Sequence, residues 1–243
     1  METTTPKLIL VPTDFSAPAA HALRYAAALG ARFEAHLLVI YADLFMPYAD
    51  LSIPAVVPSD ITQSDRIEIA RQQLTSFTES NIGKTLPHDI RVVVDTPTDA
   101  ILAQVRESGA NVIVMGTHGR TGLRRLLFGS VTESVMRLAP VPVIAVHEST
   151  PDSAPMRVIV GSRSTPEARA AVEYAGILAD VAQVRFVDAG DVVSLPSAAR
   201  NEAADLIALG MRADHHEERV IQHSSCAVLS VNTLTARELA LPS

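Results

Sequence analysis

Short runs that are apolar at every position constrain this chain most. Leu8-Ile9-Leu10-Val11 and Val112-Ile113-Val114-Met115 are two of them. Such runs are too short for buried helices and fit strands covered on both faces, as in a parallel sheet. Helical spacing fills the gaps between them. Ser16 can cap a helix from Ala17 to Leu29, with Gly30 as its stop. A strand at 35–41 follows, then a proline-rich stretch with Pro47, Pro54 and Pro58, read as irregular. A long helix is predicted over 60–82, with Ile61, Ile67, Leu74 and Phe77 along one side. A strand at 90–94 precedes a helix opening at Thr96-Pro97-Thr98-Asp99 and closing at Ser108-Gly109. Ser130–Leu138 reads as a helix broken by Pro140-Val141-Pro142, and 143–147 as a fifth strand. Strands alternating with helices predict an α/β fold with a parallel sheet and right-handed connections.

Composition narrows the functional classes. Apolar residues are 48% of the chain and charged ones 19%, enough to bury a core. There is no Trp, so Ala, Val, Leu and Ile must build that core. A formal net charge of −7 without a long basic run argues against nucleic acid and against an anionic membrane. The single Cys226 excludes an intrachain disulfide and fits a reducing compartment. The first residues carry no apolar signal core, and no apolar stretch reaches the roughly 20 residues needed to cross a bilayer. The expectation is a soluble, cytoplasmic protein.

The stretch from Gly116 to Val131 carries the chemistry. A strand, a glycine-rich turn and a helix start can form a phosphate cradle. Gly116, Gly119 and Gly129 are read as positions of positive φ or close backbone approach. The peptide N–H groups of Ser130, Val131 and Thr132 are free helix-start donors, the two hydroxyls add more, and the helix dipole favours an anion. Asp14 also follows a strand, so it can line the same crevice. No Gly-Lys-Ser/Thr follows the glycines, so this is not a Walker A loop, nor is it a Gly-x-Gly-x-x-Gly dinucleotide turn. Gly116, two residues, Gly119, nine residues and then Gly129-Ser130 is a different spacing. It resembles the ATP-binding loop of the universal stress protein family.

The resemblance covers 7–147 as a complete module. It implies an adenine-nucleotide site, with ATP and a shielding Mg²⁺, in a stress-response sensor or regulator. Asp14 would bind the ribose hydroxyls or help hold a metal; its plainer reading is a helix-start carboxylate. Val39 matches a second-strand position whose backbone contacts adenine, and Met115 is placed near the base. Arg120 is the loop arginine best placed to reach phosphates, while Arg124 and Arg125 read equally well as solvated. His118 reads as a loop histidine. No Ser/His/Asp set or metal pattern is evident; His215-His216 with Glu217 reads as a solvated turn, and Cys226 as core. Slow ATP hydrolysis or self-phosphorylation, seen in some relatives, is the most enzymatic activity implied. The rival readings are an adenine-nucleotide hydrolysing or transferring enzyme on the same fold, and an interaction module with a vestigial site.

Past the linker 148–156 the sequence repeats. Leu10-Val11-Pro12-Thr13-Asp14-Phe15-Ser16 aligns on Ile159-Val160-Gly161-Ser162-Arg163-Ser164-Thr165, and Tyr25 falls on Tyr174. Asn111–Gly116 aligns on Asp205–Gly210, and Val143–Val146 on Val228–Val231. Two tandem Rossmann-like α/β domains are expected, 1–148 complete and 157–243 shortened. In the second copy Gly119 becomes Ala213, Asp214 falls on Gly129, and Arg163 replaces Asp14. That copy cannot build the cradle, so one nucleotide per chain is expected. Family members dimerise through their last strands, which implies either a homodimer or an intrachain pseudo-dimer of 143–146 against 228–231.

Overall fold

A computed structural model describes residues 5–43, 62–84, 86–117, 129–161, 165–179, 184–186, 194–211 and 216–240. In chain order the elements are β1 (Leu8–Thr13), α1 (Ala17–Phe33), β2 (His36–Ala42), α2 (Gln63–Ile82), β3 (His88–Val93) and α3 (Pro97–Ser108). Then come β4 (Val112–Gly116), α4 (Ser130–Leu138), β5 (Val143–Val146), β6 (Val158–Val160), α5 (Pro166–Leu178) and β7 (Val184–Phe186). The last elements are α6 (Leu195–Asn201), β8 (Leu206–Gly210), α7 (His216–His223), β9 (Ala227–Val231) and α8 (Thr233–Ala240). His216 and Glu217 therefore open a helix rather than form a turn.

The strands make one sheet in the order β3-β2-β1-β4-β5-β9-β8-β6-β7. All neighbours run parallel except β5 and β9, which meet antiparallel with Val143 opposite Ser230 and Ile144 opposite Leu229. Toward that seam one half runs β3-β2-β1-β4-β5 and the other β7-β6-β8-β9. The second half has the strand order of the first without its outermost strand. The uninterrupted apolar runs are the central strands, and β5 and β9 are buried throughout. The edge strand β3 alternates half-buried and exposed residues over its first four positions.

Helices cover both faces. Side chains alternate along each strand, so Ile9, Val11, Val39, Val112 and Val114 meet Leu23, Leu29, Leu74 and Tyr174 on one face. Leu10, Leu38, Ile40, Ile113 and Met115 meet Ile101, Val105, Val135, Leu195 and Val220 on the other. Each cluster extends across both halves, so the seam lies inside one continuous core. No helix among the described residues is long and apolar enough to cross a membrane.

Local chemistry sets the helix boundaries. Ser16 Oγ accepts from Ala19 N at 3.3 Å, and Pro18 fits the first turn, where its missing N–H costs nothing. Helix α1 does not stop at Gly30. It continues to Phe33 and ends at Glu34, which takes φ 54°. Gly30 serves packing instead: a Cβ there would lie 2.7 Å from Leu37 Cδ1 on β2. Helix α2 starts at Gln63, not residue 60, because Thr62 and Asp65 form a capping box, with Thr62 N donating to Asp65 Oδ2 at 2.9 Å and Asp65 N to Thr62 Oγ1 at 3.2 Å. The Thr62 hydroxyl, which also donates to Asp65 Oδ2 at 2.7 Å, and after it the Thr62 N–H hold the Asp65 carboxyl below its ordinary range. The stretch 44–61, with its prolines, lies outside the described residues.

The linker is strapped along α1. His21 Nε2 lies 2.7 Å from Thr150 O, Arg24 Nε donates to Asp152 Oδ2 at 2.8 Å, and Arg32 Nη1 to Pro155 O at 2.9 Å.

Candidate functional site

From β1 the chain moves outward to β2 and β3, then returns to place β4 on the other side of β1. Loops leaving β1 and β4 diverge at such a switch, opening a crevice beyond the strands' carboxyl ends. A crevice of about 330 Å³ lies there. Its walls are Pro12 and Thr13 at the end of β1, Asp14 after it, Ala19 on α1, Ile40, Tyr41 and Ala42 at the end of β2, and Pro97 and Ile101 on α3. Met115 and Gly116 from β4 and the four residues Gly129 to Thr132 complete it. The volume falls in the roughly 300–1,000 Å³ range of small-molecule sites. Apolar residues dominate the walls, with Asp14 the one charged side chain among those described.

Asp14 holds two roles together. It lines the crevice, and its Oδ1 accepts from Ser16 N at 3.1 Å, bracing the entry to α1. Between them Phe15 takes φ 65°, which costs a residue with a Cβ roughly 1–2 kcal/mol. Its ring lies 4.5 Å from Tyr41 and 5.5 Å from Phe77 by centroids, and this aromatic packing offsets the strain.

Gly129 and Gly116 owe nothing to positive φ. Gly129 is the N-cap of α4 at φ −61° and ψ 133°, and neither it nor Gly116 is among the positive-φ glycines. Gly116 is needed for close approach: a Cβ there would meet Pro18 O at 3.0 Å. Gly129 N donates to Thr117 O at 3.0 Å, and Thr117 N to Val146 O at 3.2 Å, so the returning chain is stitched to the sheet. Thr132 differs from expectation too. Its hydroxyl donates to Gly116 O at 2.9 Å, so that proton is not offered to a ligand. Among the described residues no side chain caps the start of α4. Its first-turn N–H groups, at Ser130, Val131 and Thr132, line the crevice with no intrahelical acceptor.

The universal stress protein family model matches residues 6–147, more than half of the chain. The chain belongs to the universal stress protein family. Two universal stress proteins of Methanocaldococcus jannaschii are 29% and 27% identical over 140 and 154 residues. Each match spans 58% of this chain, and 81% and 94% of the relatives respectively. A solved universal stress protein from Archaeoglobus fulgidus DSM 4304 superposes with a TM-score of 0.70 over 93% of this chain and 96% of its own, at 19% identity. The last likeness is one of fold and includes the second half of the sheet.

Of the family-type positions expected to touch ligand, Asp14, Met115, Gly116, Gly129, Ser130, Val131 and Thr132 come together in the crevice. Val39 does not join its walls. Its side chain is fully buried in the cluster on the α1 and α2 face, whereas the resemblance assigns the contact to its backbone. Its neighbours Ile40, Tyr41 and Ala42 supply that wall. Gly119 and Arg120, with His118, Arg124 and Arg125, lie outside the described residues. Sequence reasoning missed Tyr41, Pro97 and Ile101; the rule that ligands sit at strand carboxyl ends would have found them, since each closely follows or ends β2 or β3. Cys226 is buried, and burial pushes its thiol up, which leaves it a poor nucleophile.

Proposed function

We propose that this crevice binds ATP and that the protein acts as a nucleotide-responsive regulator in the stress response. One observation carries the reading. The uncapped first turn of α4 opens on the same apolar crevice that Asp14 lines. Apolar walls from Ile40, Pro97, Ile101 and Met115 suit a purine, Asp14 suits ribose hydroxyls, and free helix-start N–H groups suit phosphate. Charge-assisted hydrogen bonds contribute about 1.5–3 kcal/mol each, so a few together support micromolar affinity, about −8 kcal/mol. Among the described residues no group of three or more metal-ligating side chains exists. Mg²⁺ would therefore arrive on the triphosphate, with Asp14 as the carboxylate at hand.

The domain reading belongs to the same proposal: 1–148 as the nucleotide-binding unit and 157–243 as its shortened partner. The repeated strand order and the β5–β9 seam support an intrachain pseudo-dimer. Native mass spectrometry and titration calorimetry test the proposal. One ATP per chain at micromolar affinity is expected. A folded protein that takes up no ATP at millimolar concentration would remove it.

A further inference from the structure

We infer that the second half of the sheet holds α4 in place through Asn232 and Thr235, which makes Asn232 a positioning residue for the crevice. Helix α4 has nine residues, too few to be stable by itself, so its placement comes from packing and from its ends. Its amino end faces the crevice. Its carboxyl end is gripped by Asn232, between β9 and α8, and by Thr235 in the first turn of α8. Asn232 Nδ2 donates to Met136 O and to Ala139 O, both at 2.9 Å. Thr235 Oγ1 reaches Ala139 O at 2.9 Å and Val141 O at 3.2 Å. Asn232 Oδ1 accepts from Thr235 N at 2.9 Å, which fixes the amide orientation and leaves both amide protons for α4.

Asn232 thus caps the start of α8 and the end of α4 with one side chain. Asn232 is 5% exposed and Thr235 fully buried, so breaking the clamp would leave buried carbonyls unpaired. The corresponding contact in the other direction is weaker in kind: Ser149 Oγ donates to Ser225 O at 2.7 Å near the end of α7, and it is exposed. The buried clamp falls on the helix whose other end lines the crevice. A half that lacks the loop residues of the cradle therefore still acts on the site, by fixing the angle and register of α4.

The consequence for ligand rests on the ATP reading above, and the experiment separates the two. Asn232→Ala is compared with Thr235→Val, which deletes the hydroxyl at nearly constant volume, and with Thr235→Ser, which keeps it. Affinities for ATP and for adenosine are measured by calorimetry, and amide exchange of 133–138 by mass spectrometry. If only one α4 in ten stays competent, ATP affinity falls roughly tenfold. Adenosine affinity should hold, because the base and ribose walls come from other elements. Faster exchange in α4 should accompany the loss, and Thr235→Ser should restore both. General destabilisation would weaken both ligands equally, and that result overturns the inference. So does a folded variant with faster α4 exchange and unchanged ATP affinity, or one with neither change. If Asn232→Ala fails to fold, the Thr235 pair decides. If the unaltered protein binds no ATP, the site reading falls, and unchanged α4 exchange in the variants would overturn the clamp as well.

Discussion

The two halves of the sheet share a frame and differ at the switch point. In the first half Gly116 ends β4 and faces the start of α1, capped by Ser16; in the second, Gly210 ends β8 and faces the start of α5, capped by Thr165. Thr117 N donates to Val146 O, and Met211 N, aligned with it, to Val231 O at 2.7 Å. Helix approach is closer in the second half. A Cβ at Gly210 would overlap Ala168 N and lie 2.7 Å from Glu167 C, against 3.0 Å from Pro18 O at Gly116. Gly161 aligns with Pro12, a crevice wall residue, and a Cβ there would meet buried Leu195 Cδ1 of α6 at 3.0 Å. Strand order, helix caps and the glycine that lets a helix near the sheet therefore recur in both halves. The frame is a property of packing; at the position of the crevice residue Pro12 the second half instead has Gly161 packed under Leu195 of α6.

The largest expected effect tests whether the halves differ in function. Gly129→Val with Ser130→Val replaces the entry to α4 at backbone angles a valine accepts. ATP affinity should fall more than a hundredfold, about 2.7 kcal/mol, and the stoichiometry from one to zero. Unchanged affinity in a folded variant, read by calorimetry, would remove the phosphate role of the α4 start and with it the contrast between the halves.

Next come the paired glycines. Gly210→Ala should destabilise by about 3 kcal/mol and Gly116→Ala by about 1 kcal/mol, within the range for overpacking. Denaturant melts decide it, and equal losses would mean that the two helix starts approach the sheet equally. A smaller effect concerns ligand sign. ATP should bind at least tenfold more tightly than adenosine, about 1.4 kcal/mol, because phosphate bonds to α4 carry the difference. Equal affinities in calorimetry would move the binding energy to the base walls.

The smallest effect probes what the halves have in common. Tyr25 and its counterpart Tyr174 are both fully buried, and neither hydroxyl has a hydrogen-bond partner among the described residues. Burial pushes both phenols up, with the Asp205 carboxylate adding to it at Tyr25. Tyr25→Phe and Tyr174→Phe each remove an unpaired buried donor and should raise stability by up to about 1 kcal/mol. A loss of stability in calorimetric melts would reveal a partner for that hydroxyl.

Much of the fold is legible because its signals are local. Helix α3 ends where Gly109 takes φ 73°, and α4 spans Ser130–Leu138 as its spacing predicts. Strands buried on both faces carry long apolar runs, so Leu8–Val11 of β1, Val112–Met115 of β4 and all of β5 stand out. What is illegible depends on neighbours distant in sequence. Gly30 reads as a stop until Leu37 is seen against it, and Gly116 reads as a turn glycine until Pro18 is seen above it. Val39 and Ile40 are equally apolar, and only the pleat decides which face of the sheet each packs on. Thr132 looks like a phosphate donor because sequence does not reveal that Gly116 O takes its proton.

Antiparallel pairing of β5 with β9 inside one polypeptide changes the kinetics of assembly. Two separate modules would meet at a rate and extent set by their concentration. Here the linker strapped to α1 holds the second edge near the first, at an effective concentration on the order of millimolar. Pairing becomes a unimolecular event, indifferent to dilution and to expression level. It also frees each edge to vary independently, since no symmetry forces a change in one to appear in the other.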